Sequence, residues 1–334
     1  MLLRQFKGIG PGTIFFIIVI LLFVWASAFF NLQSRFSLYF DLEPMPLYGI
    51  LSSLIGTNPL PGIVFTLSLV GLMAFLMVNL NTYLFFINER TFLPAVIFIL
   101  LSGLFPQYQV LNPAIFGAMF LMLAIRRIME TYRAPDIAYG FFDAGLFIGT
   151  GSLFYASLIW FSILLVVGVA LLRAVNMREI IISLIGVITP FLLTFGIYYL
   201  LDKDLNDLWS IINYNLFGIT GNFEFSRLTI VTLLIIGLIT FRSLGFLFMV
   251  MNAKKIQSRK TFYLLLWLLM ISLVIFFALP AVSVEIIWIT GIPVSYFLAH
   301  YFVFVKKKII PEIFFTLLVI LIALIQIWYL KIFI

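Results

Sequence analysis

Thr261-Phe-Tyr-Leu-Leu-Leu-Trp-Leu-Leu-Met-Ile-Ser-Leu-Val-Ile-Phe-Phe-Ala-Leu279 is a run of nineteen residues without a charge, preceded by Lys254, Lys255, Arg259 and Lys260. As a helix it would be about 28 Å long, close to the roughly 30 Å of a bilayer's hydrocarbon core. In lipid every backbone N–H and C=O must be paired within the protein, which leaves helices and closed barrels. A barrel strand would show an alternating segment of about ten residues, and this run does not alternate. It predicts a transmembrane helix with the basic cluster on its cytoplasmic side.

The same pattern repeats in both directions from this run. Apolar runs occupy 13–30, 61–87, 92–104, 114–125, 180–201, 228–251, 286–305 and 313–330, and two more share 137–172, broken near Gly151 and Ser152. With 261–279 this predicts an all-α, polytopic transmembrane bundle of about eleven helices. The expected topology has the N-terminus cytoplasmic, an uncleaved first helix and no soluble domain of any size. The 334 residues are 64% hydrophobic and 10% charged, against about 25% charged in an ordinary globular chain. Such a chain cannot cover itself with a polar surface in water.

Charge tests this topology. Alternating from a cytoplasmic N-terminus, the inner segments collect Arg4, Lys7, Arg90, Arg126, Arg127, Arg133, Arg173, Arg178, Lys254, Lys255, Arg259, Lys260, Lys306, Lys307 and Lys308. The outer segments collect only Arg35, Lys203, Arg227 and Lys331, while Arg242 falls within a run. That asymmetry is the positive-inside pattern. It explains the net charge of +7 without invoking nucleic acid as a partner. Seven of the thirteen acids lie on or near the outer side: Asp41, Glu43, Asp202, Asp204, Asp207, Glu224 and Glu285. The expected location is a membrane with the basic segments on its cytoplasmic side and membrane lipids as constant partners; the inner (cytoplasmic) membrane of a bacterium is what the resemblance given below implies.

The chain has no cysteine and one histidine, His300. Zinc, haem and iron–sulfur sites usually need several such ligands, so most metal and redox enzymology is removed. A hard cation on carboxylates stays open. Two outer segments carry the candidate chemistry, an interfacial loop over 31–60 and a second loop over 202–227. In the first, Asp41 and Glu43 stand two residues apart among aromatics, beside Pro44 and Pro46. They are either solvated loop residues or carboxylates lowered against apolar surface to serve as general base or cation ligand. In the second, Asp202, Asp204 and Asp207 either hold a divalent cation or begin a helix. Arg35, Lys203 and Arg227 are natural partners for a lipid phosphate, or for a neighbouring acid. Asp143, Arg242, Glu285 and His300 fall near the ends of apolar runs, where snorkelling or local pairing would serve them. Asp143 and Arg242 are close enough to the same side to pair.

Ala138-Tyr-Gly-Phe-Phe-Asp-Ala-Gly145, Gly149-Thr-Gly-Ser-Leu-Phe-Tyr155, Arg173, Arg178-Glu179, Thr189-Pro190 and Glu43-Pro-Met-Pro-Leu-Tyr48 resemble an uncharacterised family of integral membrane proteins from Bacteroidota. More loosely, the layout is similar to the C-type glycosyltransferase superfamily. Members of that superfamily have a cytoplasmic N-terminus, a first helix and a large outer loop carrying an Asp/Glu pair. Asp41-Leu42-Glu43 matches that position and spacing. The resemblance implies a C-type glycosyltransferase-like fold and transfer of a sugar from a polyprenyl-phosphate carrier to a periplasmic acceptor, be it an envelope glycan, a lipid or an exported protein. It makes Asp41 and Glu43 the catalytic carboxylates and Arg35, Lys203 and Arg227 the phosphate-binding cations. A Mg or Mn ion, if used, would sit on Asp41, Glu43 and Asp204. Two other readings stand beside it: a non-catalytic assembly subunit of a cell-envelope complex with envelope protein partners, and a transporter or lipid flippase.

Overall fold

The computed structural model describes residues 2–8, 10–30, 39–56, 58–132, 137–172, 177–219, 225–306 and 309–333. Among these there are α-helices and short 3-10 turns and no strands. The helices are α1 (Leu2–Lys7), α2 (Pro11–Phe30), α3 (Tyr39–Leu42), α4 (Pro46–Ile55), α5 (Pro59–Leu84), α6 (Leu93–Ser102), α7 (Pro113–Glu130), α8 (Ile137–Ser152), α9 (Ile163–Leu172), α10 (Met177–Leu200), α11 (Leu205–Phe217), α12 (Arg227–Val250), α13 (Ile256–Ala278), α14 (Ile287–Phe304) and α15 (Ile309–Phe333). Seven are long and apolar enough to cross a membrane: α2, α5, α10, α12, α13, α14 and α15.

The remaining apolar runs form shorter helices. All ten residues of α6 are buried, and at 1.5 Å per residue it reaches about 15 Å, half a bilayer core. A segment this short leaves non-helical backbone at depth, which lipid does not tolerate unless protein surrounds it. Here protein does surround it: α6 packs against α2, α5 and α14. The run 137–172 is two helices, α8 and α9, parted by Leu153–Tyr155 and a 3-10 turn over Ala156–Ser162. The turn beginning just after Gly151 and Ser152 is the break that the sequence places there.

α14 is the axis of the bundle, buried from Trp288 to Phe302 almost without interruption. The outer helices show the opposite. α10 exposes Ile181, Ile185, Ile188, Leu192 and Ile197, and α12 exposes Val231, Leu234, Leu238 and Phe241. Apolar surface this extensive is intolerable in water and ordinary against lipid.

Two ends of the bundle follow from side-chain contacts. At one, Thr91 Oγ1 donates to Phe6 O (3.4 Å), Lys260 Nζ donates to Leu172 O (3.1 Å), and Arg126 lies over the Tyr83 ring (5.2 Å). At the other, Leu47 N donates to Leu153 O (3.2 Å) and Asn215 Nδ2 to Glu43 O (2.7 Å). The segments that the charge pattern assigns to opposite faces therefore gather at opposite ends, here termed the basic and the acidic end.

Between the ends, polar groups tie α2, α15 and the α6–α7 turn together. Gln109 and Gln326 are both buried. Gln109 Nε2 donates to Val24 O (3.0 Å), and Gln326 Nε2 to Gly103 O (2.8 Å). Ser27 Oγ faces the Oε1 of both glutamines, and Trp25 Nε1 donates to Ser102 Oγ (3.1 Å). Gln326→Leu strands Gly103 O in an apolar interior, so a loss of about 1–3 kcal/mol is expected. Unfolding of the variant in detergent reads this directly, and an unchanged midpoint would remove the network from the forces holding α15.

Asp143 pairs with Arg127 (2.6 Å), which also meets Glu130 (3.1 Å). The pairing of Asp143 with Arg242 suggested by the sequence is thus corrected: Arg242 Nε donates to Tyr301 Oη at 2.9 Å. α7 packs along α8, so its own basic turn reaches Asp143 first. Both partners of the Arg127–Asp143 pair are about 40% exposed, and such pairs contribute about 0–1 kcal/mol. Asp143→Asn should therefore shift the unfolding midpoint hardly at all, and a loss well beyond that range would mark Asp143 as more than a surface partner.

Candidate functional site at the acidic end

The Asp41–Glu43 segment is held by what flanks it. Pro46 begins α4, where its missing N–H costs nothing and its fixed φ is already helical. Phe40, Met45 and Tyr48 turn inwards and form a small apolar cluster with Ala156 and with Leu208 and Ile212 of α11. The Phe40 and Tyr48 rings meet edge to face at 5.8 Å. The segments α3–α4 and α11 therefore fold on each other, and the 2.7 Å bond from Asn215 to the Glu43 carbonyl closes them.

Within this cap the two carboxylates differ. Asp41 is exposed, and its Oδ1 accepts from Tyr48 Oη (3.1 Å), a hydroxyl also 3.2 Å from Leu111 O. Glu43 is half-buried, and its Oε2 is buried with no hydrogen-bond partner. A buried carboxylate oxygen without a donor is costly, so it marks a place where a ligand's hydroxyl would be welcome.

A third carboxylate lies just beneath. Glu285 is 3% exposed and accepts at Oε1 from Ser283 N (2.9 Å) and Tyr155 Oη (3.3 Å). Tyr108 approaches Ser283 Oγ at 3.4 Å. Burial and then the Glu285 charge push the Tyr108 hydroxyl up to about 12, against the lowering effect of Ser283. Tyr108 is therefore a donor at any physiological pH. Phe40, Tyr48, Tyr155, Asn215 and Glu285 share a cavity of about 10 Å³, room for about one water. Local pairing, one of the two roles that the sequence allows Glu285, is what the structure shows. Its neighbourhood with Tyr48 and Asn215 could not be read from spacing, since it joins residues many tens of positions apart.

Lys203 Nζ lies over the Tyr198 ring at 5.3 Å, Arg227 is the first residue of α12, and Arg35 lies outside the described residues. Asp204 is the N-cap of α11, accepting from Asn206 N (2.8 Å). Among the described residues no group of three or more His, Asp or Glu could hold a metal ion. Asp41, Glu43 and Asp204 are thus not gathered into a ligand set for Mg or Mn.

Taken with the apolar belt, these features define a multi-pass α-helical membrane protein capped at one end by two interlocked loops. The chain belongs to DUF6427, a family of unknown function, whose family model matches residues 29–333. No curated protein and no solved structure matches the chain.

Proposed function

We propose that this protein is a membrane glycosyltransferase that takes its sugar from a polyprenyl-phosphate carrier and transfers it to an acceptor on the periplasmic side of a bacterial inner membrane. In this reading all eleven apolar runs cross, with the N-terminus cytoplasmic and the acidic end outward. The observation that supports it most directly is Glu43: a carboxylate with an unpaired buried oxygen, in a cap built from both outer loops. Glu43 would take the proton of an acceptor hydroxyl while the acceptor oxygen bonds to the sugar's anomeric carbon. The bond from that carbon to the phosphate oxygen breaks, and the polyprenyl phosphate leaves with the electron pair. Arg35, Lys203 or Arg227 would meet the departing phosphate.

A second reading, a non-catalytic assembly subunit of a cell-envelope complex, is favoured by the size of the acidic-end cavity, which holds no sugar as it stands. The two are separated by supplying labelled polyprenyl-phosphate sugars to membranes containing the wild type or an Asp41→Asn/Glu43→Gln double variant. Transfer by the wild type alone supports the enzyme and its site. Transfer by both discards the site, and transfer by neither, with both proteins folded, moves the conclusion to the assembly subunit.

A further inference from the structure

A cavity at the basic end shares no lining residue with the cavity at the acidic end. It measures about 500 Å³, and its lining includes Asn88, Arg242, Lys254, His300, Phe304 and Lys306, with no Asp or Glu. That volume is in the range of about 300–1,000 Å³ typical of small-molecule sites.

Its polar groups are unusually short of partners. His300 is completely buried, and neither ring nitrogen makes a hydrogen bond. Snorkelling and local pairing, the roles that the sequence suggests for it, are both overturned: Phe246, Phe262 and Phe304 enclose the imidazole at ring distances of 6.0, 5.2 and 5.0 Å. Asn88, in the left-handed region at φ 69°, has a buried Oδ1 that is also unpaired. Lys254 is 9% exposed and forms no ion pair among the described residues; its Nζ rests on the faces of Phe262 and Phe304 at 5.3 and 5.1 Å. Burial lowers the Lys254 amine to about 8, so it is still mostly charged near neutrality. Arg242 donates through Nε to Tyr301, with no carboxylate partner among the described residues. Buried charge is normally paired or removed. Only Lys254 is a buried cation here, Arg242 and Lys306 being exposed; it faces a cavity whose lining carries two further cations and no acid, beside an unpaired imidazole, and an anion would complete this site.

We propose that this cavity binds a phosphate group, with Arg242, Lys254 and Lys306 supplying charge and His300 a hydrogen bond. The proposal does not depend on the glycosyltransferase reading, since it concerns the opposite end of the bundle. Phosphate suits the donors: Arg offers planar paired N–H groups, and Lys a compact charge. The phosphate could belong to an anionic lipid headgroup or to a soluble ester, and the apolar wall of Phe246, Val250, Val305 and Ile310 accommodates either.

The test is thermal unfolding of the full chain in an uncharged detergent, with added inorganic pyrophosphate in one arm and dioctanoyl phosphatidic acid in the other. Dioctanoyl phosphatidylcholine serves as the neutral control. The wild type should be stabilised by at least one anionic probe and not by the control. Stabilisation by pyrophosphate points to a soluble ester, and by phosphatidic acid alone to a lipid. Lys254→Met should abolish the response while raising the midpoint of the probe-free protein, because it removes an unpaired buried charge. Arg242→Gln, at an exposed position, should weaken half-saturation about tenfold and keeps the test alive if the first variant does not fold. Absence of any response in the wild type, or an unchanged response in the folded variants, overturns the site.

Discussion

Glu43→Gln is expected to lower the proposed sugar transfer by about 10²- to 10⁴-fold, the usual contribution of a positioned general base. Asp41→Asn should cost much less. Asp41 is exposed and already engaged by Tyr48, whereas Glu43 Oε2 is buried and unpaired. The exchange is informative because it leaves the cap intact. The bond from Asn215 that closes the cap ends on the main-chain oxygen of Glu43, so glutamine keeps the loop docked and removes only the basic oxygen. Yield and unfolding midpoint should therefore match the wild type. A variant that is folded and fully active would remove Glu43 from the chemistry, and equal losses in both single variants would mean that the carboxylates work as a pair.

Gly149→Leu should cause the largest loss of stability of any single change discussed, more than the roughly 1–3 kcal/mol of ordinary overpacking. α8 and α10 pack backbone to backbone. A Cβ on Gly145 would overlap Ser183 O, one on Gly149 would overlap Val187 O, and one on Gly186 of the facing helix would overlap Phe142 O. Gly145 and Gly149 are four apart, so they present one face and let the helices approach as small residues do in membranes. The obstacle is backbone, which cannot rotate away as a side chain would. Gly149→Ala is a finer probe. Alanine gains up to about 1 kcal/mol in helix propensity, yet here the overlap should outweigh it. On the same α10, a Cβ on Gly196 meets nothing within 4 Å, so Gly196→Ala should be neutral or stabilising. Thermal unfolding of the pair in detergent decides the point: losses of similar size at both positions would mean that close approach is not what holds α8 to α10.

The basic end shows how pattern and contact divide the evidence. That Lys254 and Lys306 lie on one side follows from the alternation of apolar runs and cations. That they share a cavity with His300 does not, because the lining joins α12, α14 and the turn after α5. In sequence, His300 looks like a residue near a helix end with water in reach; in the bundle it is packed among three phenylalanines at the wall of the cavity. The polar ties of Gln109 and Gln326 are similar. A glutamine within the apolar run of α15 is a visible anomaly, but its partner at Gly103 is 223 residues away.

What the sequence by itself determined is the class: a chain 64% hydrophobic, in uncharged runs close to bilayer length, can satisfy its backbone only as helices in lipid. It also determined which segments share an end, because charge placement relative to lipid is a local property of each loop. The N-cap role of Asp204 was legible for the same reason, since a cap involves only the next two residues. The tertiary structure decided the rest. It set how far each apolar run extends as helix, for α6 is half the length of a crossing and survives by burial. It chose Arg127 over Arg242 for Asp143, folded the outer loops into one cap, and left Glu43 Oε2 and both His300 nitrogens without partners. Those outcomes depend on contacts between distant residues, where packing rather than local chemistry selects the neighbour.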